Sequence, residues 1–163
     1  MENDLKQLGL IDPLAPPVDA WMIKRIINPF FEEEERTYIW KSCVIFHVGE
    51  GDYNQTELPL SAVAWLVDVI ENRFWKVPSE GGLPKDVFHF TGEIAGETIN
   101  VIRGSCLAGE DIGGFTITNL SRGSYIDETQ EQAHDITDHV LIEMKYMDFL
   151  RDLAARIARG EYK

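Results

Sequence analysis

The sequence predicts an α+β domain: an antiparallel sheet of about four or more strands packed against two or three helices, with a long C-terminal helix. Three observations carry that expectation. In "RTYIWKSCVIFHV" Tyr38, Trp40, Val44, Phe46 and Val48 share one parity, the period of a strand with one buried face. In "VFHFTGEI" Phe88, Phe90 and Ile94 alternate with His89, Thr91 and Glu93. From Asp127 onward no proline interrupts the chain. There Ile136, Val140, Met144, Met147, Leu150, Ala154 and Ile157 or Ala158 fall on one helical stripe, the pattern of an amphipathic helix.

The elements follow in order. "LAPPVDAWMIKRIINPFF" places prolines at a helix start, Val18, Met22 and Ile26 at four-residue spacing, and a stop at Asn28 and Pro29, so a short first helix is expected despite the β-rich "WMIKRII". The acidic run Glu32 to Glu35 leads into the first strand. "GEGDYNQTELP" is a turn, and "LSAVAWLVDVIENRFW" sets Leu60, Val63, Leu66 or Val67, Ile70 and Phe74 at helical spacing. That helix is apolar nearly all round until Glu71, which makes it the central one. "WKVPSEGGLPKD" is a loop by its prolines and paired glycines, and Ala95 with Gly96 forms a hairpin turn. A further strand, "GFTITNL", after the glycine-rich "LAGEDIGG", extends the antiparallel meander.

A second arrangement competes for the C-terminal third. "TELPLSAVAWLVDVI" and "HVLIEMKYMDFLRDLA" align at Leu60 with Met144, Trp65 with Phe149, Leu66 with Leu150 and Asp68 with Asp152. Both would then be a strand feeding a helix, in two related halves. That arrangement turns residues 121 to 138 into a long polar loop, which compact domains rarely contain, so the uninterrupted helix is preferred.

With 163 residues, 44% of them hydrophobic and 26% charged, the chain has the size and composition of a single globular domain spanning 1–163. The start "MENDLKQLGLID" has acids where an export signal needs bases, and the longest apolar stretch, Leu58 to Ile70, is 13 residues with Asp68 inside it, short of a membrane span. A cytoplasmic protein without membrane contact is expected. Cys43 and Cys106 lie in apolar surroundings and read as small buried hydrophobes. Charge is the most informative global number. Fifteen basic against 28 acidic residues leave −13, divided almost evenly: 7 basic and 14 acidic up to residue 80, 8 and 14 beyond it. Such a field repels phosphate backbones and anionic membranes and speeds encounter with basic proteins.

The motif "HDITDH", His134 to His139, raises metal chemistry and fails on geometry. Two helical ligands need i,i+4 spacing, whereas these histidines are five apart and diverge; on a strand they point to opposite faces. The cross pairs His134 with Asp138 and Asp135 with His139 remain possible partial sites, and they are the basis of a metal-dependent hydrolase alternative. The "HD" pair is similar to that of helical phosphohydrolases, but those are all-helical and this chain has at least four plausible strands. "LAGEDIGG" lacks a GK[ST] ending, and Ser105 and Ser124 follow Arg-Gly pairs without a G-x-S-x-G elbow. No catalytic residue, cofactor or metal is expected. Trp21, Trp40, Trp65 and Trp75 could stack bases, and residues 145 to 163 hold five basic against three acidic residues. A single-stranded nucleic-acid binder built from two sheet-plus-helix halves is therefore the second reading, although nucleic acid is disfavoured by charge.

Two acidic clusters suit another task. Phe30, Phe31, Glu32, Glu33, Glu34 and Glu35 form the first; Asp127, Glu128, Glu131, Asp135, Asp138 and Glu143, with no base between them, form the second. Carboxylates around aromatic anchors capture and hold a basic protein, the physical logic of immunity proteins and other protein inhibitors. The expectation is a non-enzymatic acidic protein that neutralises a basic partner such as a nuclease toxin.

Overall fold

The computed structural model describes residues 6–11, 18–28, 31–48, 54–105, 107 and 113–162, with side chains described for all of these except 18–28 and 31–34. Two four-stranded antiparallel meanders lie one after the other along the chain, each followed by a helix. The first half comprises β1 (Val18–Asn28), β2 (Phe31–Trp40), β3 (Cys43–Val48), β4 (Asn54–Pro59) and α1 (Ala62–Val69), which runs into a π-helical turn at Ile70–Phe74. The second comprises β5 (His89–Ile94), β6 (Glu97–Gly104), β7 (Gly114–Gly123), β8 (Glu131–Thr137), a π-helical turn at His139–Glu143, and α2 (Tyr146–Ala158).

The α+β class, the antiparallel pairing and the C-terminal helix agree with the sequence. Three local expectations do not. The predicted first helix is strand β1: the β-branched and aromatic content of "WMIKRII" outweighs the four-residue spacing. The strands form two sheets of four rather than one. The uninterrupted terminal helix is a strand up to Thr137, and α2 starts only at Tyr146. Two sheet-plus-helix halves are adopted, but not with the strand that the alignment gave: "HVLIE" is a π-helical turn, and the second half's last strand is Glu131–Thr137, inside the segment that arrangement made a loop. "EQAHDIT" looked polar throughout, yet Gln132, His134 and Ile136 all point inward and are buried. Gln132 accepts from the backbone N–H of Glu57 at 2.8 Å and donates to the Gly123 carbonyl at 3.1 Å, and the His134 ring stacks on Phe46 at 4.8 Å.

The halves are interlocked. In the first half α1 and its π turn lie on the second sheet: Trp65 meets Phe90 at 6.2 Å, Phe74 meets Phe115 edge-on at 5.1 Å, and Arg73 covers Phe90. A Cβ at Gly92 would come within 2.7 Å of the Trp65 ring, so glycine is what lets β5 approach α1. Conversely α2 reaches the first sheet, where the fully buried Tyr146 hydroxyl pairs with Thr37 Oγ1 on β2 at 2.5 Å. The helices pack against each other, and one core runs through Ile39, Val44, Phe46 and Leu58 of the first sheet, Leu66 and Leu150 of the helices, and Ile99, Val101, Phe115, Ile117 and Ile136 of the second sheet. The edge of β4 is closed by side chains, since Asn119 donates to the Glu57 carbonyl at 2.7 Å while Gln132 takes its N–H, which removes a pairing edge. Among the described residues no helix is long and apolar enough to cross a membrane.

Candidate functional site

The two sheets differ in what covers their outer faces. Residues 6–11 lie across the first. The Leu8 N–H donates to Glu57 Oε1 at 3.0 Å, the Ile11 N–H to Gln55 Oε1 at 3.0 Å, and Gln55 Nε2 returns a bond to the Gly9 carbonyl at 3.0 Å. Leu8 and Ile11 pack on Tyr38, Cys43 and Ile45. Lys6 bridges to Arg122 at the end of β7. This strap makes the first sheet buried on both faces, which is why "KSCVIFHV" is apolar at both parities.

Among the described residues the outer face of the second sheet is open. Register sets His89, Ile102, Thr116 and Asp135 in one row and Thr91, Asn100, Thr118 and Ala133 in the next. Glu93, Thr98, Leu120 and Glu131 continue it by parity. Ile102 is 41% and Leu120 37% exposed. Thr116 donates to Asp135 at 2.6 Å and Thr91 to Asn100 at 2.8 Å, so the hydroxyls are held in fixed directions. Among these twelve residues there are three carboxylates and no lysine, arginine, tryptophan, tyrosine or phenylalanine.

The second acidic cluster is divided by this geometry. Glu131 and Asp135 share the open face. Asp127 and Glu128 stand in the turn that feeds β8, where hydrogen bonds from Thr129 hold the Asp127 carboxyl below its ordinary range. The Ser124 hydroxyl accepts from the Ile126 and Asp127 N–H groups, a turn role of the kind short hydroxyl side chains favour. Asp138 lies past the strand end and binds Arg103 through both oxygens at 2.6 Å, which removes it from the face. Glu143 pairs with His139 at 2.7 Å on the π turn. Of the first cluster, Phe30 lies outside the described residues, as do the side chains of Phe31, Glu32, Glu33 and Glu34. The β1–β2 register sets Glu34 opposite Lys24 and Glu33 opposite Arg25. Glu35 is 5% exposed and faces the interior.

"HDITDH" is dispersed: His134 in the core, Asp135 on the open face, Asp138 on Arg103, His139 on the surface. A shallow cavity of about 360 Å³ is lined by Phe88, Arg103, Gly104, Ser105 and Gly113. Its guanidinium lies over Phe115 and is neutralised by Asp138.

A buried polar network links the two sheets, unforeseen from sequence. Arg122, 2% exposed, binds Glu57 at 2.8 Å and Glu97 at 2.6 and 3.1 Å. Glu57 also accepts from Gln55 at 2.8 Å and from the Tyr125 hydroxyl at 2.5 Å. Burial, and then the bond to Glu57, push the Tyr125 phenol far above its usual range, while the two carboxylates hold Arg122 charged against burial. With four donors turned on Glu57, two buried and two part-buried, counting Leu8, this network anchors the strap. A signal was available for one member: Glu97 shares the parity of Ile99 and Val101 and so belongs to the buried face. Arg122 gave none, because the register shift between Asn119 and Gly123 breaks the alternation.

No known protein family, curated protein or solved structure matches this chain.

Proposed function

We propose that this protein is a non-enzymatic acidic binding protein that captures and neutralises a basic protein, in the manner of an inhibitor or immunity protein. The observation that carries the reading is the open outer face of the second sheet, with Glu93, Glu131 and Asp135 around exposed Ile102 and Leu120 and no cationic side chain among them. Asp127 and Glu128 extend the charge along the turn into β8. Exposed apolar residues on the two central strands, flanked by carboxylates on β5 and β8, match the make-up of a protein interface, and a net charge of −13 adds long-range attraction toward a cationic partner. A base-stacking surface would need aromatic side chains and phosphate contacts, which the same twelve positions do not offer. The two-half architecture of the nucleic-acid alternative is present; the surface chemistry is not.

The test is affinity capture from nuclease-treated lysate of the source cells, with a quadruple variant Asp127→Asn, Glu128→Gln, Glu131→Gln and Asp135→Asn as comparison. A stoichiometric basic protein, retained by the wild type, lost with the variant and inhibited when bound, is the expected result. Recovery of nucleic acid from untreated lysate as the sole ligand, or a partner indifferent to the four substitutions, overturns the reading.

A further inference from the structure

The two halves carry equivalent outer faces, and among the described residues only one of them is occupied. Their registers superpose strand end on strand end: Trp40, Cys43 and Pro59 close one sheet as Gly104, Gly114 and Thr137 close the other. One step inward on the outer face, the row Tyr38, Ile45 and Glu57 corresponds to Ile102, Thr116 and Asp135. The step after that sets Arg36, His47 and Gln55 against Asn100, Thr118 and Ala133. In the first half this surface receives residues 6–11 of the chain itself. Glu57 takes the Leu8 backbone N–H, and Leu8 and Ile11 cover Tyr38, which is left 6% exposed. In the second half Asp135 stands where Glu57 stands, and Ile102, where Tyr38 stands, is 41% exposed.

We propose that the outer face of the second sheet is a docking site for an extended, basic segment of a protein partner, bound as the strap is bound on the first sheet. Asp135 accepts a backbone N–H or a cationic side chain of that segment, Ile102 and Leu120 receive its apolar residues, and Glu93 and Glu131 pair with lysine or arginine at its ends. Charge selects the occupant: three carboxylates and no cation on the face favour a basic segment over another copy of this acidic chain, for which like charges would meet. Ala133 in place of Gln55 removes one of the two backbone clamps, so the segment is held less firmly than the strap and exchanges. The inference rests on the binding reading above and names the chemistry of its partner.

The probe is an acetylated peptide alternating lysine with valine or leucine over seven residues, titrated into the uniformly 15N-labelled full chain. The expected result is saturable perturbation of backbone amides along β6, β7 and β8 around Ile102, Thr116, Thr118 and Asp135. Affinity falls about tenfold or more in each of Asp135→Asn, Ile102→Ser and Thr118→Lys, as loss of a charge-assisted contact or a buried apolar one produces. A peptide with aspartate for lysine does not bind. Perturbations scattered over the turn at 124–130 and α2, or affinity unchanged in all three variants, overturn the proposal. Self-association of the chain that protects Ile102 and disappears in Ile102→Ser also overturns it, by giving the face to a second copy. The two readings fail separately. Peptide docking without a captured basic protein removes the function and leaves the site, whereas a captured protein that protects only Asp127 and Glu128 removes the site and leaves the function.

Discussion

Arg122 is the residue on which most depends, because it is a single cation between two buried carboxylates. Truncating one partner of a buried, hydrogen-bonded charge group costs roughly 3–5 kcal/mol, chiefly through the charge left behind, so Arg122→Met is expected to lose about that much in urea unfolding near neutral pH. Its pH dependence follows from Glu97. Burial alone would raise that carboxyl above 4.5, but hydrogen bonds from Arg122 and Asn119 outweigh burial and hold it lower. A carboxylate with a depressed folded pKa contributes stability above its unfolded pKa and loses it as the pH falls through the folded one. In Arg122→Met the same carboxyl is buried without its cation and its pKa is displaced upward, so protonation relieves the variant while it weakens the wild type. The stability gap between the two is therefore expected to be widest near about pH 7 and to narrow as the pH falls through the variant's raised pKa and on through the wild type's lowered one. A gap that is constant across that range would show that the guanidinium acts by packing alone.

At the level of elements, the strap explains both a surface and a misreading. Residues 6–11 contribute no regular element, yet they bury Tyr38, Cys43 and Ile45 and are held by Glu57 and Gln55. Cys43 beneath them is 6% exposed, and burial raises its thiol pKa. In a Cys106→Ser background, deleting residues 1–11 is expected to speed modification of Cys43 by a thiol reagent about tenfold or more, since each ~1.4 kcal/mol of lost local protection is a factor of ten in the open population. An unchanged rate would mean that the strap does not guard this face. What was legible at this scale was the alternation of β5 and the apolar stripe of α1; "RTYIWKSCVIFHV", expected as one strand with one buried face, is a hairpin that turns at Lys41 and Ser42, so Tyr38 and Trp40 lie on the outer face with Ile45 while Val44 and Phe46 enter the core. What was not legible has a physical cause in each case. In β1 the helical spacing of Val18, Met22 and Ile26 coincides with even parity, so a strand and a helix share the same apolar set. In β8 the inward positions hold Gln132 and His134, whose partners lie in the other half and are invisible locally. On the candidate face, Glu131 and Asp135 were readable as acidic neighbours, but Ile102, Leu120 and the threonines between them were not. Only cross-strand register places those residues on the same surface.

The whole molecule is expected to behave as one cooperative object, because one core runs through both sheets and both helices. Trp65 and Phe74 leave the first half to pack on Phe90 and Phe115, and Tyr146 leaves the second to meet Thr37. The Glu57–Arg122–Glu97 network and the capped β4 edge join the same seam. Because the core is shared between the halves, neither is expected to fold alone. The repeat visible in the alignment of Leu66 with Leu150 is therefore not a pair of independent domains. Both leucines are buried in one core, and Leu→Ala at either position creates a cavity worth about 2–5 kcal/mol. The loss is expected to appear equally in probes of both halves. Tryptophan fluorescence reports the first half and its seam with the second, since Trp21 and Trp40 lie in β1 and β2 and Trp65 packs on Phe90, and amide hydrogen exchange at Val101, Phe115 and Ile117 reports the second half. In Leu66→Ala and in Leu150→Ala the two probes should give coincident urea transitions, shifted by the same amount, as two-state unfolding requires. Separate transitions, with Leu150→Ala weakening exchange protection in β6 and β7 while fluorescence is unmoved, would divide the molecule into two units. The interlocking of helix and sheet would then be a contact between domains rather than the basis of the fold.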